Sequence, residues 1–212
     1  MKNFIIITGG AGFIGTNLIK LLLVKTKYKI ISIDNYSSGR KINHILDKRV
    51  KYLNGHTKNI STLLNKYKKN IQSIFHFGEF ARIYQSFLKM DECIESNSIG
   101  TYEVIRFCMK NKIRLIYSAT SASLGNNGDD KNLSPYAFSK TKNLEILENF
   151  KKWFNLKFEI IYFYNVYGPN QIRNGDMATV IGIFEEAYLK NKFIPVVLPG
   201  TQTRRFTHVF DT

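Results

Sequence analysis

Residues 8–15 read Thr-Gly-Gly-Ala-Gly-Phe-Ile-Gly, after the apolar run Phe4-Ile5-Ile6-Ile7 and before Leu18, Leu21, Leu22 and Leu23. A strand, a glycine-rich turn and a helix in that order make a phosphate cradle. Gly9 permits the tight turn, Gly12 lets a pyrophosphate approach the backbone, and Gly15 lets the helix pack closely on the strand. Phe13 and Ile14 open the helix, whose first N–H groups and partial positive charge face the anion. The motif is weak alone and gains weight from its flanks.

A second apolar run, Ile30-Ile31-Ser32-Ile33, ends in Asp34, nineteen residues after Gly15. A carboxylate there can accept both hydroxyls of an adenosine ribose and would repel a 2′-phosphate. NAD is therefore expected over NADP. Arg40 would favour a 2′-phosphate only if its loop folds back. The plainer reading of Asp34, a capping residue at a strand end, does not account for strand, loop and spacing together.

The chain has 212 residues, enough for one sizeable α/β domain with part of another. No stretch is long and apolar enough to span a membrane. Cys93 and Cys108 lack metal-type spacing and make no disulfide framework, which fits a reducing cytoplasm. The net charge of +15 suits an anionic partner. The lysines are scattered among Asn and Ile, however, with no basic stripe interleaved with aromatics, so nucleic acid is not expected. Most of the charge reads as solvated surface, and the rest as a pocket for a nucleotide diphosphate.

Apolar runs at 3–8, 28–33, 50–53, 71–76, 113–118 and 158–163 alternate with helical patterns at 12–25, 59–69, 91–112 and 135–153. Such alternation predicts a doubly wound parallel sheet of the Rossmann type. After residue 164 the pattern changes to a polar loop, a helix near 178–191 and a short extended piece, Ile194–Leu198.

Ser134-Pro135-Tyr136-Ala137-Phe138-Ser139-Lys140 opens the helix at 135–153. Tyr136 and Lys140, four apart, share one helix face. A phenol is a poor base at its ordinary pKa near ~10. A nearby ammonium lowers that value, as would an oxidised nicotinamide. Tyr136 can then take a proton from a sugar hydroxyl, and Lys140 can also hold the nicotinamide ribose. Strand 113–118 runs into Ser118-Ala119-Thr120-Ser121-Ala122-Ser123. Sheets of this kind bind ligands at strand carboxyl ends, which makes Thr120, then Ser121, the candidate hydroxyls. A Tyr/Lys pair on a helix is common, and a Ser/Thr cluster often only satisfies loop backbone.

On these residues the chain resembles the extended short-chain dehydrogenase/reductases, in their NAD-dependent nucleotide-sugar epimerase/dehydratase branch. Thr8–Gly15 is similar to the family's cofactor motif and Asp34-Asn35 to its ribose-binding pair. Ile74-Phe75-His76-Phe77-Gly78 resembles the strand-four motif, so Phe77 and Gly78 are expected to line the cofactor. Asn97 with Gly100-Thr101 resembles a helix motif that supports the sheet. Thr120, Tyr136 and Lys140 fall on the catalytic positions. Tyr164-Asn165-Val166-Tyr167-Gly168-Pro169 resembles the segment whose Asn meets the sugar nucleotide. Gln202, Arg204, Phe206, Val209 and Asp211 match a late motif whose Arg grips the substrate diphosphate, a task suited to a bidentate fork. Ser121 is carried as a substrate contact.

There are departures. Gly55-His56-Thr57 stands where the family often has an adenine-contacting Asp, Tyr162 replaces an Arg, and Arg205 replaces an Asp. Glu79-Phe80-Ala81-Arg82 is an unusual pocket rim. Ser121-Ala122 stands where dehydratases carry an Asp-Glu pair, which argues against 4,6-dehydration. Family members continue well beyond Thr212. The resemblance thus implies a partial chain, with an NAD-binding Rossmann domain over 1–168 and part of a substrate-binding region over 169–212. It implies epimerisation of a nucleotide-diphosphate sugar, at C4, through a transient keto sugar. The alternatives are a nucleotide-sugar dehydrogenase or reductase and a catalytically silent NAD-binding fragment. Relatives dimerise through the helices matching 91–112 and 135–153, so a homodimer is expected there. Ile105, Leu144 and Leu147 would serve that face or an ordinary core.

Overall fold

The computed structural model of the chain describes residues 2–212, apart from the side chains of 125–128. Six parallel strands form one sheet in the order β3-β2-β1-β4-β5-β6. They are β1 (Phe4–Thr8), β2 (Lys29–Asp34), β3 (Val50–Asn54), β4 (Ile71–His76), β5 (Arg114–Thr120) and β6 (Phe158–Phe163). The order reverses beside β1, between β1 and β4, and in such sheets that crevice takes the ligand. The helices are α1 (Phe13–Lys25), α2 (Ile60–Leu63), α3 (Ile83–Leu88), α4 (Met90–Ile94), α5 (Thr101–Asn111), α6 (Pro135–Phe154) and α7 (Val180–Leu189).

The strands are apolar on both faces because both faces are covered. Ile5, Ile7 and Ile30 pack with Ile19 and Leu22 of α1. Ile6, Ile31, Ile74, Leu115 and Tyr117 pack on the other side with Ile60, Ile105 and Leu147. Ile105 and Leu147 are thus core residues, and the partly buried Leu144 packs against them.

Two helical expectations need correction, and one helix was not expected. The pattern at 59–69 yields only the single turn α2, because Asn65 and Tyr67 bond three residues back, to Thr62 and Leu64, as tight turns. Residues 91–112 do form a helical run, but Glu95–Gly100 widens into a π-helix between α4 and α5. α3 was not foreseen, since four of its six residues, Ile83, Tyr84, Phe87 and Leu88, are apolar yet exposed and show no one-faced stripe.

After β6 a two-stranded parallel sheet forms from β7 (Val166–Tyr167) and β8 (Thr207–His208). The piece Ile194–Leu198 joins no sheet. Among the described residues no helix is long and apolar enough to cross a membrane. Cys93 and Cys108 are buried free thiols.

Candidate active site

The glycine-rich turn closes on itself. Gly9 has φ +71°, a conformation that glycine adopts without strain, and the Gly12 amide donates to the Gly9 carbonyl at 3.1 Å. A Cβ on Gly15 would lie 2.3 Å from the Gly9 carbonyl oxygen, so α1 can approach the turn only as glycine. Gly12 caps α1 without a side-chain bond, and no acidic residue stands in its first turn. The positive end of the helix at Phe13 and Ile14 is left for an anion.

Asp34 ends β2 with its carboxylate held in place. It accepts from the Ala11 amide at 2.9 Å and the Tyr36 amide at 2.8 Å. Burial pushes its pKa up, and those two bonds pull it back. A Cβ on Gly39 would come within 2.7 Å of the same carboxylate. Asn35 is exposed, its side chain accepting from the Ser37 amide. The loop that carries Arg40 does fold back: the Arg40 amide and the Asn43 side chain both donate to the Ala11 carbonyl. The Arg40 residue itself is exposed. A hairpinned glycine turn, an open helix N-terminus and a fixed carboxylate together fit a dinucleotide. Phe77 and Gly78 adjoin this turn, since both amides donate to Thr8 Oγ1, at 3.1 and 3.0 Å.

The second group of predicted residues meets at the carboxyl end of β5 and the start of α6. Ser134 caps α6, accepting from the Ala137 amide at 3.0 Å, and Pro135 occupies the first turn. That start places Tyr136 beside Thr120, whose hydroxyl acts on the phenol. Thr120 also caps the short 3₁₀ turn Ser121–Ser123 by accepting from the Ala122 amide. Ser121 begins that turn and is partly buried.

The phenol departs from expectation. Its pKa is pushed up to about 12 by burial, with the Glu79 charge adding to the rise. The Thr120 hydroxyl and the Arg82 charge pull the other way. Lys140 does not lower it, because its ammonium is bound to Glu79 at 2.5 Å and to the Ser118 carbonyl.

Glu79 and Arg82 also differ from the expected rim. The Glu79 side chain is 3% exposed and lies beneath the site. Arg82 bends back to donate to the Met177 and Ala81 carbonyls. The sequence reading missed Asn143, one turn after Lys140, which donates to the Asn97 carbonyl at 2.7 Å. Asn97 in turn grips Phe80 by both its amide and its carbonyl. A charged residue directly after an apolar strand, as in His76-Phe77-Gly78-Glu79, was the available signal.

On the substrate side, Asn165 takes φ +38° and donates to the Arg205 carbonyl at 2.8 Å. Pairing of β7 with β8 brings the 204–206 segment to this position. The Arg204 side chain is exposed and bonds its neighbour Thr203. Asn17 of α1 donates to the Pro169 carbonyl at 2.8 Å, tying the cofactor helix to the loop after β7.

The family model for the NAD dependent epimerase/dehydratase family matches residues 5–212. A putative UDP-glucose 4-epimerase of Methanocaldococcus jannaschii is 28% identical over 219 aligned residues, covering 98% of this chain and 70% of the relative. The UDP-glucose 4-epimerase of Thermotoga maritima, solved with UDP-glucose, superposes with a TM-score of 0.88 at 26% identity. It is covered over 98% of this chain and 70% of its own length. The Bordetella bronchiseptica enzyme WbmF, solved with NAD⁺, gives a TM-score of 0.88 at 26% identity, over 99% of this chain and 67% of its own. With its cofactor turn, its Thr120–Tyr136–Lys140 cluster and a model match along nearly its whole length, this chain belongs to the NAD-dependent epimerase/dehydratase family.

Proposed function

We propose that this protein epimerises a nucleotide-diphosphate sugar with NAD as its resident cofactor. The observation that carries the reading is the placement of Tyr136 next to Thr120 at the carboxyl end of β5, where the Thr120 hydroxyl lowers the phenol's pKa, with Lys140 one turn along the same helix. Bound NAD supplies a reversible hydride acceptor. The glycine turn with Phe13 and Ile14 would hold its pyrophosphate, Asp34 and Asn35 its adenosine ribose, and Phe77 and Gly78 its inner edge. Lys140 would hold the second ribose.

Tyr136 takes the proton of the sugar hydroxyl as the carbon becomes a ketone, and returns it after the sugar has turned. Thr120 steadies the phenolate and orients the same oxygen. A buried phenol near 12 is a strong base once ionised, so a positive charge arriving beside it is what makes it usable at neutral pH. Ser121, Asn165 and Arg204 are assigned to the substrate, Arg204 to its diphosphate. The relatives' UDP-glucose points to UDP-hexoses as the first class to try.

The finer organisation belongs to the same reading. The cofactor domain ends near residue 168, supported by the separate β7–β8 sheet that follows β6. A homodimer forms through the faces of α4–α5 and α6. Ile99, Tyr102, Trp153 and Phe154 are exposed there, with Tyr102 and Trp153 both packed edge-on or tilted against Phe150. Two free buried thiols suit a cytoplasmic setting.

The test is turnover of UDP-hexoses by the wild type and by Tyr136→Phe, with NAD content measured alongside. The wild type should interconvert two epimers with no net change in reduced-nicotinamide absorbance. The variant should keep NAD and lose turnover by about 10²-fold or more. Near-normal epimerisation in the variant sinks the assignment, and stoichiometric NADH formation would instead make the protein a dehydrogenase.

A further inference from the structure

Lys140 is 5% exposed at its side chain and sits against a carboxylate that is just as hidden. Glu79 Oε2 meets its ammonium at 2.5 Å. Glu79 Oε1 accepts from Thr101 at 3.0 Å, Tyr117 at 3.1 Å and Asn143 at 3.2 Å. Ser118 Oγ lies 3.3 Å from Oε2 and donates at 2.9 Å to the His76 carbonyl. The Tyr117 ring stands 4.5 Å from the ammonium.

The hydrogen bonds reaching Glu79 run one way. Thr8 Oγ1 accepts from the Phe77 and Gly78 amides, so its own proton goes to His76 Nδ1, 2.7 Å away. His76 must then donate through Nε2 to Thr101 Oγ1 at 2.9 Å, and Thr101 donates to Glu79. This arrangement requires a neutral His76, whose pKa burial pushes down to about 4. Glu79 accepts the three neutral donors at Oε1 and the Lys140 ammonium at Oε2, the pattern that suits a carboxylate. A chain that starts in the cofactor turn therefore ends on a fixed negative charge under Lys140.

The remaining titratable groups facing Lys140 offer it no charge. His76 on β4 is neutral at pH 7. Tyr117 on β5, Tyr136 on α6 and Cys93 on α4 are all pushed up by burial and stay protonated. Arg82 is a further cation beside Tyr136. Burial lowers the Lys140 pKa from its ordinary value, and Glu79 opposes that fall through its charge and its hydrogen bond. A buried ion pair is weak evidence for stability, since well-packed apolar groups would serve as well. Its place beneath the catalytic lysine needs another reason.

We propose that Glu79 is a positioning residue of this active site: a built-in counter-ion that fixes both the place and the positive charge of Lys140. The assignment rests on the reading of Tyr136 and Lys140 as the catalytic pair. Without Glu79, Lys140 becomes a neutral amine and a weaker donor to a ribose. Glu79 does not touch the reacting atoms; its hold on the ribose site passes through Lys140, while its charge also raises the Tyr136 pKa.

The test is a pH titration of the 212-residue protein carrying ¹³Cε-labelled lysine, followed by NMR. The Lys140 resonance is identified by its loss in Lys140→Met. In the wild type it should stay ammonium-like at pH 8. In Glu79→Gln, which keeps the shape and removes the charge, its midpoint should fall by about one pH unit or more. Glu79→Asp, which keeps the charge, should titrate near the wild type even if the Gln variant fails to fold. Turnover of Glu79→Gln at pH 7 should fall about tenfold with KM little changed, and Glu79→Asp should restore part of it. An unchanged Lys140 midpoint in Glu79→Gln, or a Lys140 already neutral at pH 8 in the wild type, overturns the proposal. Absence of turnover in the wild type would sink the epimerase reading, while the titration would still decide the role of Glu79.

Discussion

Thr8 Oγ1 lies 2.7 Å from His76 Nδ1, so the last residues of β1 and β4 are joined across the crevice where the strand order reverses. His76 has no exposed surface and titrates near 4 in the folded chain. An unfolded histidine titrates near ~6.5. The unfolded chain therefore holds the proton more tightly, and acid favours unfolding between those two values. Stability from this residue is complete above about pH 6.5 and is lost as the pH falls towards 4, by roughly 3 kcal/mol in all. Urea melts at pH 7, 6 and 5 on the wild type and on His76→Gln check this. The difference between the two proteins should shrink as the pH falls, and a constant difference would refute the titration.

Asp34→Asn keeps the size of the side chain and replaces one carboxylate oxygen by a donor. The two backbone amides bond different oxygens of the carboxylate, so one of them would face that donor. Lost charge-assisted bonds are worth about 1.5–3 kcal/mol each. NAD should therefore bind about tenfold or more weakly by calorimetry, and NADP should lose less. Equal losses for both cofactors would mean that Asp34 only shapes the loop.

Thr120→Val removes the hydroxyl that meets Tyr136 and caps the turn at Ser121–Ser123. kcat should drop by about 10²-fold, and Thr120→Ser should recover most of it. Full activity in the Val variant would show that the phenol needs no such partner.

Much of this was legible in the sequence because it lies in local patterns. The glycine turn, Asp34, the strand expected at 113–118 and the Tyr136/Lys140 spacing depend on neighbours within one βα unit. Glu79 was not legible as a buried residue. Its burial depends on Thr101, Tyr117 and Asn143, which come from three other elements. The expectation of a lowered Tyr136 pKa failed for the same reason, since sequence spacing placed the lysine correctly but not its counter-ion. The helix expected at 59–69 failed because its apolar residues need only one turn to reach the core, as Ile60 and Leu64 both do.

The β7–β8 ribbon has a consequence for how the two sides of the site respond to ligands. Each strand has two residues, and residues 168–206 lie between them. Closing a loop of that length costs roughly 3 kcal/mol in chain entropy. A few backbone bonds at about 1 kcal/mol each barely offset it. The connections of the six-stranded sheet cost comparable entropy, but there the burial of two cores offsets it. Hydrogen exchange should therefore find Val166 and Thr207 opening long before Ile6 and Ile31. A nucleotide diphosphate bound at Asn165 and Arg204, as proposed, would then do part of the folding of its own site, and its measured affinity would be the intrinsic one reduced by the work of holding that ribbon shut.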